Sequence, residues 1–272
     1  MDLNPLDFIT FKKLIFSHHS RYRRVLPWRG DRTPYEIVIS EIMLQQTQVE
    51  RVLLKYGSFI EQFPDFPTLA GADLPSILTL WMGLGYNRRA IALKTMAQKV
   101  IDEHAGVLPD TIEELILLPG IGRATAGAIL AFAYNKPATF IETNIRRVFI
   151  HFFFKGREKV RDSEILPLIK QTLDSDNPRE WYYALMDYGS ILKTTVVNPN
   201  RKSAHYLRQS RFEGSDRQIR GKILKLLLSA GTMQIMTLVR EIGEEHERTE
   251  KILNDLIRES FIWQRGNRIS LA

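Results

Sequence analysis

The chain has 272 residues, of which 44% are hydrophobic and 25% charged, and its net charge is +7 at neutral pH. A chain of this length can form one full core and a small second domain, and its positive charge suits a polyanionic partner such as a nucleic acid. The absence of cysteine excludes disulfides, thiolate nucleophiles and cysteine-held iron–sulfur clusters. We find neither an apolar run of membrane-spanning length nor a signal-peptide pattern, and therefore expect a cytoplasmic protein, associated with the nucleoid if prokaryotic.

The first predicted helix covers residues 6–16, where apolar side chains recur at helical spacing. The basic segment His18–Arg24 follows it. Such a segment is typical either of a solvated edge or of a DNA contact, and both interpretations stay open.

Two prolines then interrupt regular structure, and each precedes an aromatic residue: Trp28 follows Pro27, and Tyr35 follows Pro34. This pattern fits a loop that is pinned by buried rings. It also fits a pocket wall, because a flipped-out base needs a flat apolar surface on which to stack.

Residues 35–54 form one long helical pattern that contains an unusual acid. Glu41 lies amid apolar neighbours in the string VISEIML, whereas a single glutamate on a helix usually faces solvent. Burial there would raise the pKa of Glu41 and let it hold a proton near neutral pH. Glu41 is therefore a candidate proton donor.

Two short helices are predicted within residues 59–80, with Asp73 as a cap, and a glycine-rich turn follows them. This turn, Trp81–Tyr86, has an aromatic residue at its tip, and the next helix opens with Arg88 and Arg89. A tip aromatic can wedge into a base stack while arginines hold phosphates. The alternative is a tyrosine buried in a tight turn.

A second turn, Leu118–Gly122, lies between two further helical patterns. Pro119 cannot continue the first helix, and Gly120 and Gly122 can adopt backbone angles that other residues resist. The N–H groups at the start of the second helix then form a seat for a phosphate. An ordinary helix–helix turn has the same pattern.

The polar, basic segment 198–220 leads to three helical patterns and a hairpin that turns at Gly266–Asn267. This order resembles a winged helix, whose third helix normally enters the major groove. Here that helix, residues 247–260, is acidic and would repel phosphates, so we expect a stabilising or partner-binding module. DNA contact through Arg265 and Arg268 is the alternative, and the basic segment is either a linker or a contact to the phosphate backbone.

Four motifs, LPWR, SEIMLQQTQV, GLGYNRRA and LPGIGRATAGAIL, resemble the helix-hairpin-helix (HhH-GPD) DNA glycosylase superfamily, and within it the MutY-like adenine glycosylases, over residues 20–195. The resemblance implies an all-α fold of two subdomains with a groove between them, followed by a small α+β winged-helix domain. The corresponding limits are 1–205 for the glycosylase domain with its hairpin at 112–133, 206–216 for a basic linker, and 217–272 for the winged-helix-like domain.

Three catalytic roles follow from the resemblance. It implies that Glu41 is the general acid that protonates the leaving base, that Glu142 stabilises the sugar cation, and that Asn144 positions the water or the sugar. Glu142 stands where the superfamily has aspartate. Its extra methylene displaces the carboxylate by roughly an ångström, which can cost a large factor in rate.

The resemblance also implies two sets of contacts. The base pocket comprises Leu26, Trp28, Arg29, Ala124 and Tyr183. The DNA-binding set comprises Gln45, Gln46, Tyr86, Arg88, Gly120, Gly122, Arg123, Thr125 and Arg146. Ala124 occupies the place of the lysine of lyase members, which predicts base removal without strong AP lyase activity. Tyr183 replaces an acid or amide that holds adenine in the family, so the identity of the excised base stays open. Asp187 is expected to be a structural or helix-capping acid.

The cysteines that hold the family's iron–sulfur cluster correspond to Lys193, Asn200, Ser203 and Gln209, which are not iron ligands of such clusters. We therefore predict a cluster-free variant without a cofactor or metal centre, apart from a monovalent cation at the hairpin. We also expect no counterpart of the larger C-terminal domain with which the family recognises 8-oxoguanine. The expected partner is double-stranded DNA with a mispair or lesion, bound by a monomer that has no membrane contact.

These implications lead to three hypotheses about function. The first is a monofunctional DNA glycosylase of base excision repair that removes a mispaired adenine opposite 8-oxoguanine or guanine. The second is a glycosylase that removes thymine or uracil from G:T or G:U mispairs. The third is a damaged-DNA binding protein with little chemistry, for which the residues at positions Glu142, Ala124 and Tyr183 argue.

Overall fold

The computed structural model describes residues 7–207 and 211–272. In chain order, the helices are α1 (Phe8–Tyr22), α2 (Pro34–Leu44), α3 (Val49–Gln62), α4 (Phe66–Gly71), α5 (Leu74–Trp81), α6 (Arg88–His104), α7 (Ile112–Leu115), α8 (Arg123–Tyr134), α9 (Thr143–Phe153), α10 (Asp162–Thr172), α11 (Pro178–Thr195), α12 (Asp216–Ala230), α13 (Ile235–Ile242) and α14 (His246–Arg258). A 3-10 turn covers Pro199–Lys202, and the strands are β1 (Thr232–Gln234), β2 (Ile262–Arg265) and β3 (Arg268–Leu271). The predicted all-α fold with a small α+β C-terminal part is confirmed. Within the described ranges, no helix has the length and apolar character needed to cross a membrane.

The described residues divide into two compact units. The first unit comprises residues 7–41, 109–117 and 121–207. The second unit comprises residues 42–108, 118–120 and 211–272. Residues 211–272, called the C-terminal module below, thus group with the second unit.

Apolar side chains of α1, α9 and α11 form the core of the first unit. Phe11, Phe149 and Trp181 are fully buried, and the ring of Phe11 meets the other two edge-on, at centroid distances of 5.4 and 5.9 Å. Removing such large apolar surfaces from water stabilises the packing of these helices. Gly189 lets α11 approach α9 closely, because a Cβ atom there would lie 2.5 Å from the carbonyl oxygen of Asn144. The start of α9 is therefore held against the middle of α11.

The second unit contains α3–α6 and the C-terminal module. Asp73 caps α5, as predicted, by accepting a hydrogen bond from the amide of Ser76 at 2.6 Å. In the module, α12, α13 and α14 accompany an antiparallel sheet with the strand order β1-β3-β2. Strands β2 and β3 flank the predicted turn at Gly266–Asn267. The sequence pattern does not reveal β1, because a strand of three residues is too short to show a periodicity.

The predicted single helix over residues 35–54 is wrong, since α2 and α3 are separate helices. Gln46 has a left-handed backbone conformation (φ +52°), which a right-handed helix cannot include. Arg89 supports the break by donating hydrogen bonds to the carbonyl oxygens of Met43 and Gln45, at 2.8 and 2.7 Å. The last carbonyls of a helix need such partners, and the local sequence does not show that a residue in α6 supplies them.

The first helix is longer than predicted. It begins after the cap Asp7 and continues to Tyr22, so it contains most of the basic segment 18–24. Leu6, with which the predicted helix starts, lies outside the described residues.

Candidate active site

Glu41 lies near the end of α2, among side chains that are almost completely buried. Ile39, Ser40, Ile42 and Met43 are each at most 1% exposed, whereas Glu41 itself keeps partial access to solvent. Burial, and secondly the charge of Glu142, raises the pKa of Glu41 to about 8. Glu41 therefore carries a proton at neutral pH and is accessible enough to transfer it.

Glu142 is placed differently, because its side chain caps the N-terminus of α9. Its Oε1 atom accepts hydrogen bonds from the amides of Asn144 and Ile145, at 2.7 and 2.9 Å. Burial raises the pKa of Glu142, but these two N–H donors and the charges of Arg147 and Arg146 act in the opposite direction. The pKa of Glu142 is raised on balance, but Glu142 differs from Glu41 in having N–H donors and positive charges that favour its ionised form.

Arg147 fixes the position of Asn144. Its Nη1 atom donates hydrogen bonds to Oδ1 of Asn144 at 2.7 Å and to the carbonyl oxygen of Gly189 at 2.5 Å. Its Nε atom donates to Oδ1 of Asn198 at 3.1 Å. Since the amide oxygen of Asn144 is bound in this way, its Nδ2 group is directed to Glu142, where the distance to Oε2 is 3.4 Å. The acid and the amide thus form one rigid group.

Asp187 is buried in the middle of α11 and binds three basic side chains from the first 29 residues of the chain. It accepts hydrogen bonds from Nδ1 of His19 (2.9 Å), Nε of Arg24 (2.6 Å) and both Nη atoms of Arg29 (2.9 Å each). Burial opposes its ionisation, but the hydrogen bonds from His19 and Arg29 hold the pKa of Asp187 well below its usual range. Asp187 is therefore a structural acid, as predicted, but it does not cap a helix.

The predicted base-pocket residues of the N-terminal loop are partly engaged by the protein itself. The amide of Arg29 donates to the carbonyl oxygen of Leu26 at 3.0 Å, which closes a turn around the buried Trp28. The guanidinium of Arg29 lies 4.4 Å from the ring centroid of Tyr183. Arg29 is thus bound to Asp187 and also contacts the ring of Tyr183.

Tyr183 is the base-pocket residue with an unmet hydrogen-bonding group. Its ring is stacked on Phe132, with 4.7 Å between centroids and 5° between planes. Only 3% of the residue is exposed, and its hydroxyl makes no hydrogen bond with any described residue. Burial, and secondly the charge of Glu41, raises the pKa of Tyr183 to about 12. The buried hydroxyl, near Glu41, is thus a hydrogen-bond donor without a partner among the described residues.

The hairpin belongs to both units. In the first unit, Gly122 precedes α8, and Gly122, Arg123 and Ala124 are exposed, while Thr125 is half-buried. The first turn of α8 is therefore open to an anion. Ala124 presents only a methyl group there. In the second unit, Gly120 has a φ of +82°, and its carbonyl oxygen accepts a hydrogen bond from Nε2 of Gln45 at 3.1 Å.

The remaining predicted DNA contacts lie at the surface or in ion pairs. Gln46 is exposed, and Arg146 forms a two-point ion pair with Asp162, at 2.7 Å for both hydrogen bonds. Arg88 is exposed and forms a similar pair with Glu259 of the C-terminal module, at 2.8 and 2.5 Å. Tyr86 is half-buried at the tip of its turn.

Three basic residues have internal partners that the sequence pattern does not indicate. Arg89 does not hold phosphate, because it is buried and its guanidinium is bound to main-chain carbonyl oxygens, including those at the break after α2. In the basic segment, His19 and Arg24 are internal partners of Asp187 rather than part of a solvated edge. In each case, an acceptor far away in the sequence binds the side chain.

The positions that correspond to the cluster cysteines are occupied by a hydrogen-bonded segment. Asn200 is buried and donates through Nδ2 to the carbonyl oxygen of Thr143 at 2.9 Å. Ser203 is buried and pairs with Val160 in an isolated parallel bridge. Lys193 is exposed, and Gln209 lies outside the described residues. These side chains do not fit an iron–sulfur cluster, and no group of three metal-ligating side chains occurs within residues 7–207 and 211–272.

Sequence reasoning missed the positioning role of Arg147 and its link to Asn198. A signal for the first was present, because Arg147 follows Asn144 by three residues and such residues are neighbours on a helix. The link to Asn198 has no local signal, since the two residues are 51 positions apart.

Comparison with known proteins places these features in a family. A model of the HhH-GPD superfamily of base excision DNA repair proteins matches residues 39–166. The adenine DNA glycosylase of Mycolicibacterium smegmatis is 30% identical over 249 residues, which are 85% of this chain and 83% of that protein. The enzyme of the same name from Buchnera aphidicola subsp. Baizongia pistaciae is 37% identical over 188 residues, 68% of this chain. The match spans 53% of the length of that Buchnera protein.

Solved structures agree with this placement. The structure of a thermostable thymine-DNA glycosylase matches with a TM-score of 0.62 and 25% identity, over 72% of this chain and 91% of that one. A non-covalent endonuclease III–DNA complex matches with a TM-score of 0.59 over 70% of this chain, and its 18% identity supports the fold only.

The helical fold, with its hairpin turn and two partly buried acids in unlike surroundings, therefore has the architecture of the helix-hairpin-helix class of base excision repair proteins. Within that class, the chain belongs to the HhH-GPD superfamily and, inside it, to the MutY-like adenine DNA glycosylases.

Proposed function

We propose that this protein is a monofunctional DNA glycosylase of base excision repair, which hydrolyses the N-glycosidic bond of an adenine paired with 8-oxoguanine or guanine. The observation that carries the proposal is the contrast between Glu41 and Glu142, because one acid is held protonated and the other is surrounded by donors. Such a pair divides the roles of general acid and charge stabiliser. We also propose that the protein acts as a monomer in the cytoplasm, at the nucleoid in a prokaryote.

The reaction begins with a nucleotide flipped out of the duplex, since a glycosylase cannot reach the bond inside the stack. Glu41 donates its proton to the departing base, which leaves as a neutral molecule. The sugar becomes an oxocarbenium ion, and the carboxylate of Glu142 stabilises its positive charge. Asn144, held by Arg147, orients the water that attacks the sugar carbon, and the released proton restores the acid.

Strand cleavage is not part of the proposed reaction. A lyase needs an amine that attacks the sugar, and Ala124 offers none at the exposed first turn of α8. The product is then an intact strand with an abasic site, which breaks only after treatment with alkali.

A second candidate substrate is thymine or uracil opposite guanine. The specific observation is the buried, unpartnered hydroxyl of Tyr183, which can donate to a carbonyl oxygen of a pyrimidine as well as to a ring nitrogen of adenine. The similarity to a thermostable thymine-DNA glycosylase points in the same direction. The names of the relatives favour adenine as the first choice.

Single-turnover reactions test the proposal on duplexes with one A:8-oxoguanine, A:G, T:G or U:G pair, each analysed with and without alkali. We expect cleavage of the adenine strand only after alkali, and at a much lower rate with Glu41→Gln. Reaction of the T:G or U:G duplex instead would establish the second candidate. Tight binding without any base release would identify a damaged-DNA binding protein and refute the catalytic proposal.

A further inference from the structure

The tip of the glycine-rich turn has a strained backbone. Tyr86 adopts a φ of +47°, in the left-handed region that residues with a bulky side chain seldom occupy. Such a conformation costs free energy and persists only where the surrounding structure holds the residue. Arg89 binds the carbonyl oxygen of Tyr86, and the contacts of the Tyr86 side chain add to this hold on the tip.

The C-terminal module supplies two contacts to the Tyr86 side chain. Nη1 of Arg217, in α12, donates a hydrogen bond to the hydroxyl of Tyr86 at 2.7 Å, and its guanidinium carbon lies 5.3 Å from the ring centroid. The guanidinium carbon of Arg89 lies 5.7 Å from the same ring. One ring thus meets two cations, and one of them also binds its hydroxyl.

Helix α12 is itself tied to the same region by an ion cluster. Glu259, just after α14, binds Arg88 of α6 and Arg220 of α12 at the same time. Although burial opposes its ionisation, the hydrogen bonds from Arg88 and Arg220 lower the pKa of Glu259. Because two arginines neutralise this acid, it does not repel phosphate in the way that the acidic sequence of the module indicates. The cluster holds Arg217 beside the turn.

We propose that Arg217 is a positioning residue for Tyr86. Through this contact, the C-terminal module holds the tip of the glycine-rich turn in the conformation that enters the base stack. The inference rests on the proposed function, in which Tyr86 contacts DNA. The module then has a part in base extrusion without placing its acidic third helix in a groove. Its role differs from both a passive stabiliser and a reader of the opposite base.

A double-mutant cycle tests this link in the full-length protein. The variants are Arg217→Met, Tyr86→Phe, which removes only the hydroxyl, and both together. Extrusion is measured by the fluorescence of 2-aminopurine placed at the target position, and base release by single-turnover rates. The control Arg240→Met removes the same charge from an exposed position of the module.

We expect Arg217→Met and Tyr86→Phe each to lower extrusion and base release about five- to tenfold. The double variant should be no worse than Arg217→Met, since both changes remove the hydrogen bond between the two side chains. Arg217→Lys should restore part of the loss, and Arg240→Met should behave as the parent. Thermal unfolding identifies any variant that is poorly folded. If Arg217→Met is poorly folded, the result with Tyr86→Phe decides whether the inference stands.

Two results would overturn the inference. Parent-like extrusion in Arg217→Met or Tyr86→Phe, or losses that multiply in the double variant, would show that Arg217 does not act through Tyr86. Tyr86→Ala separates this failure from a failure of the proposed function. If Tyr86→Ala leaves extrusion intact, the assigned DNA contact is wrong; if it abolishes extrusion while Arg217→Met is silent, only the positioning role is wrong.

Discussion

Glu41 and Glu142 have the same side chain but opposite surroundings. Glu41 lies among apolar residues of α2, so its proton is retained, whereas Glu142 accepts two main-chain N–H bonds at the start of a helix. Such a difference in surroundings can keep one glutamate protonated and the other ionised, although the residue type is the same. The division of roles can be tested one side chain at a time.

For Glu41→Gln, we expect a loss of about 10²- to 10⁴-fold in the single-turnover rate, because the amide cannot donate the required proton. Affinity for mispaired DNA should be retained. In the parent protein, the rate should fall as the pH rises through about 8, where Glu41 loses its proton. A rate that is independent of pH between 6 and 9 would contradict the assignment of Glu41.

The same substitution should stabilise the protein in alkaline solution. The pKa of Glu41 is raised from 4.5 in the unfolded chain to about 8, so the folded state holds the proton more tightly. Stability of the parent then falls with rising pH between these two values, by up to about 1.4 kcal/mol per pH unit, and stays low above the upper one. Chemical denaturation at pH 5, 7 and 9 should show a growing advantage of Glu41→Gln, and an advantage that shrinks with pH would refute the burial argument.

Glu142 caps α9 and, in the proposed reaction, carries a negative charge, and substitutions can separate these two properties. Glu142→Gln keeps a cap acceptor but loses the charge, so we expect the rate of base release to fall about 10²- to 10³-fold. Glu142→Asp keeps both, and aspartate is a good cap, so its rate should remain within about tenfold of the parent. A Gln variant as active as the Asp variant would show that the charge is not used.

At the scale of elements, the close approach of α11 to α9 holds Glu142 and Asn144 in place. Gly189→Ala would put a Cβ atom 2.5 Å from the carbonyl oxygen of Asn144, so the helices must separate. We expect a loss of about 1–3 kcal/mol in stability and a lower rate of base release. Gly57→Ala, in α3, is the matched control, because its Cβ atom has nothing within 4 Å and should stabilise the helix by about 0.5–1 kcal/mol.

Some boundaries of helices and turns can be predicted from the local sequence alone, and others cannot. The hairpin turn and the start of α8 follow from Pro119 and the two glycines, because turn chemistry depends on neighbouring residues. The division of residues 35–54 into two helices does not follow in this way. A guanidinium in α6 satisfies the carbonyls at the break, so the apolar periodicity continues across a point at which the helix ends.

At the scale of the whole molecule, the net charge of +7 should make DNA affinity strongly dependent on salt. Arg123 is exposed at the first turn of α8. If it contacts a phosphate, Arg123→Gln should weaken binding to mispaired and to fully paired duplexes equally and reduce the salt slope by about 1. Titrations at several salt concentrations check this, with Arg240→Gln as the control. A loss confined to mispaired DNA would instead assign Arg123 to recognition of the mispair.

The sequence by itself determined the helical class, the hairpin, the candidate acid Glu41 and the family, because periodicity, turn chemistry and motifs are properties of residues that are close along the chain. Only the tertiary structure decided that Arg29 binds Asp187, 158 positions away, and that Arg217 binds Tyr86, 131 positions away. A charged side chain is drawn to whichever buried partner the fold brings near it. Its role therefore depends on folding as a whole, and the neighbouring residues do not reveal it.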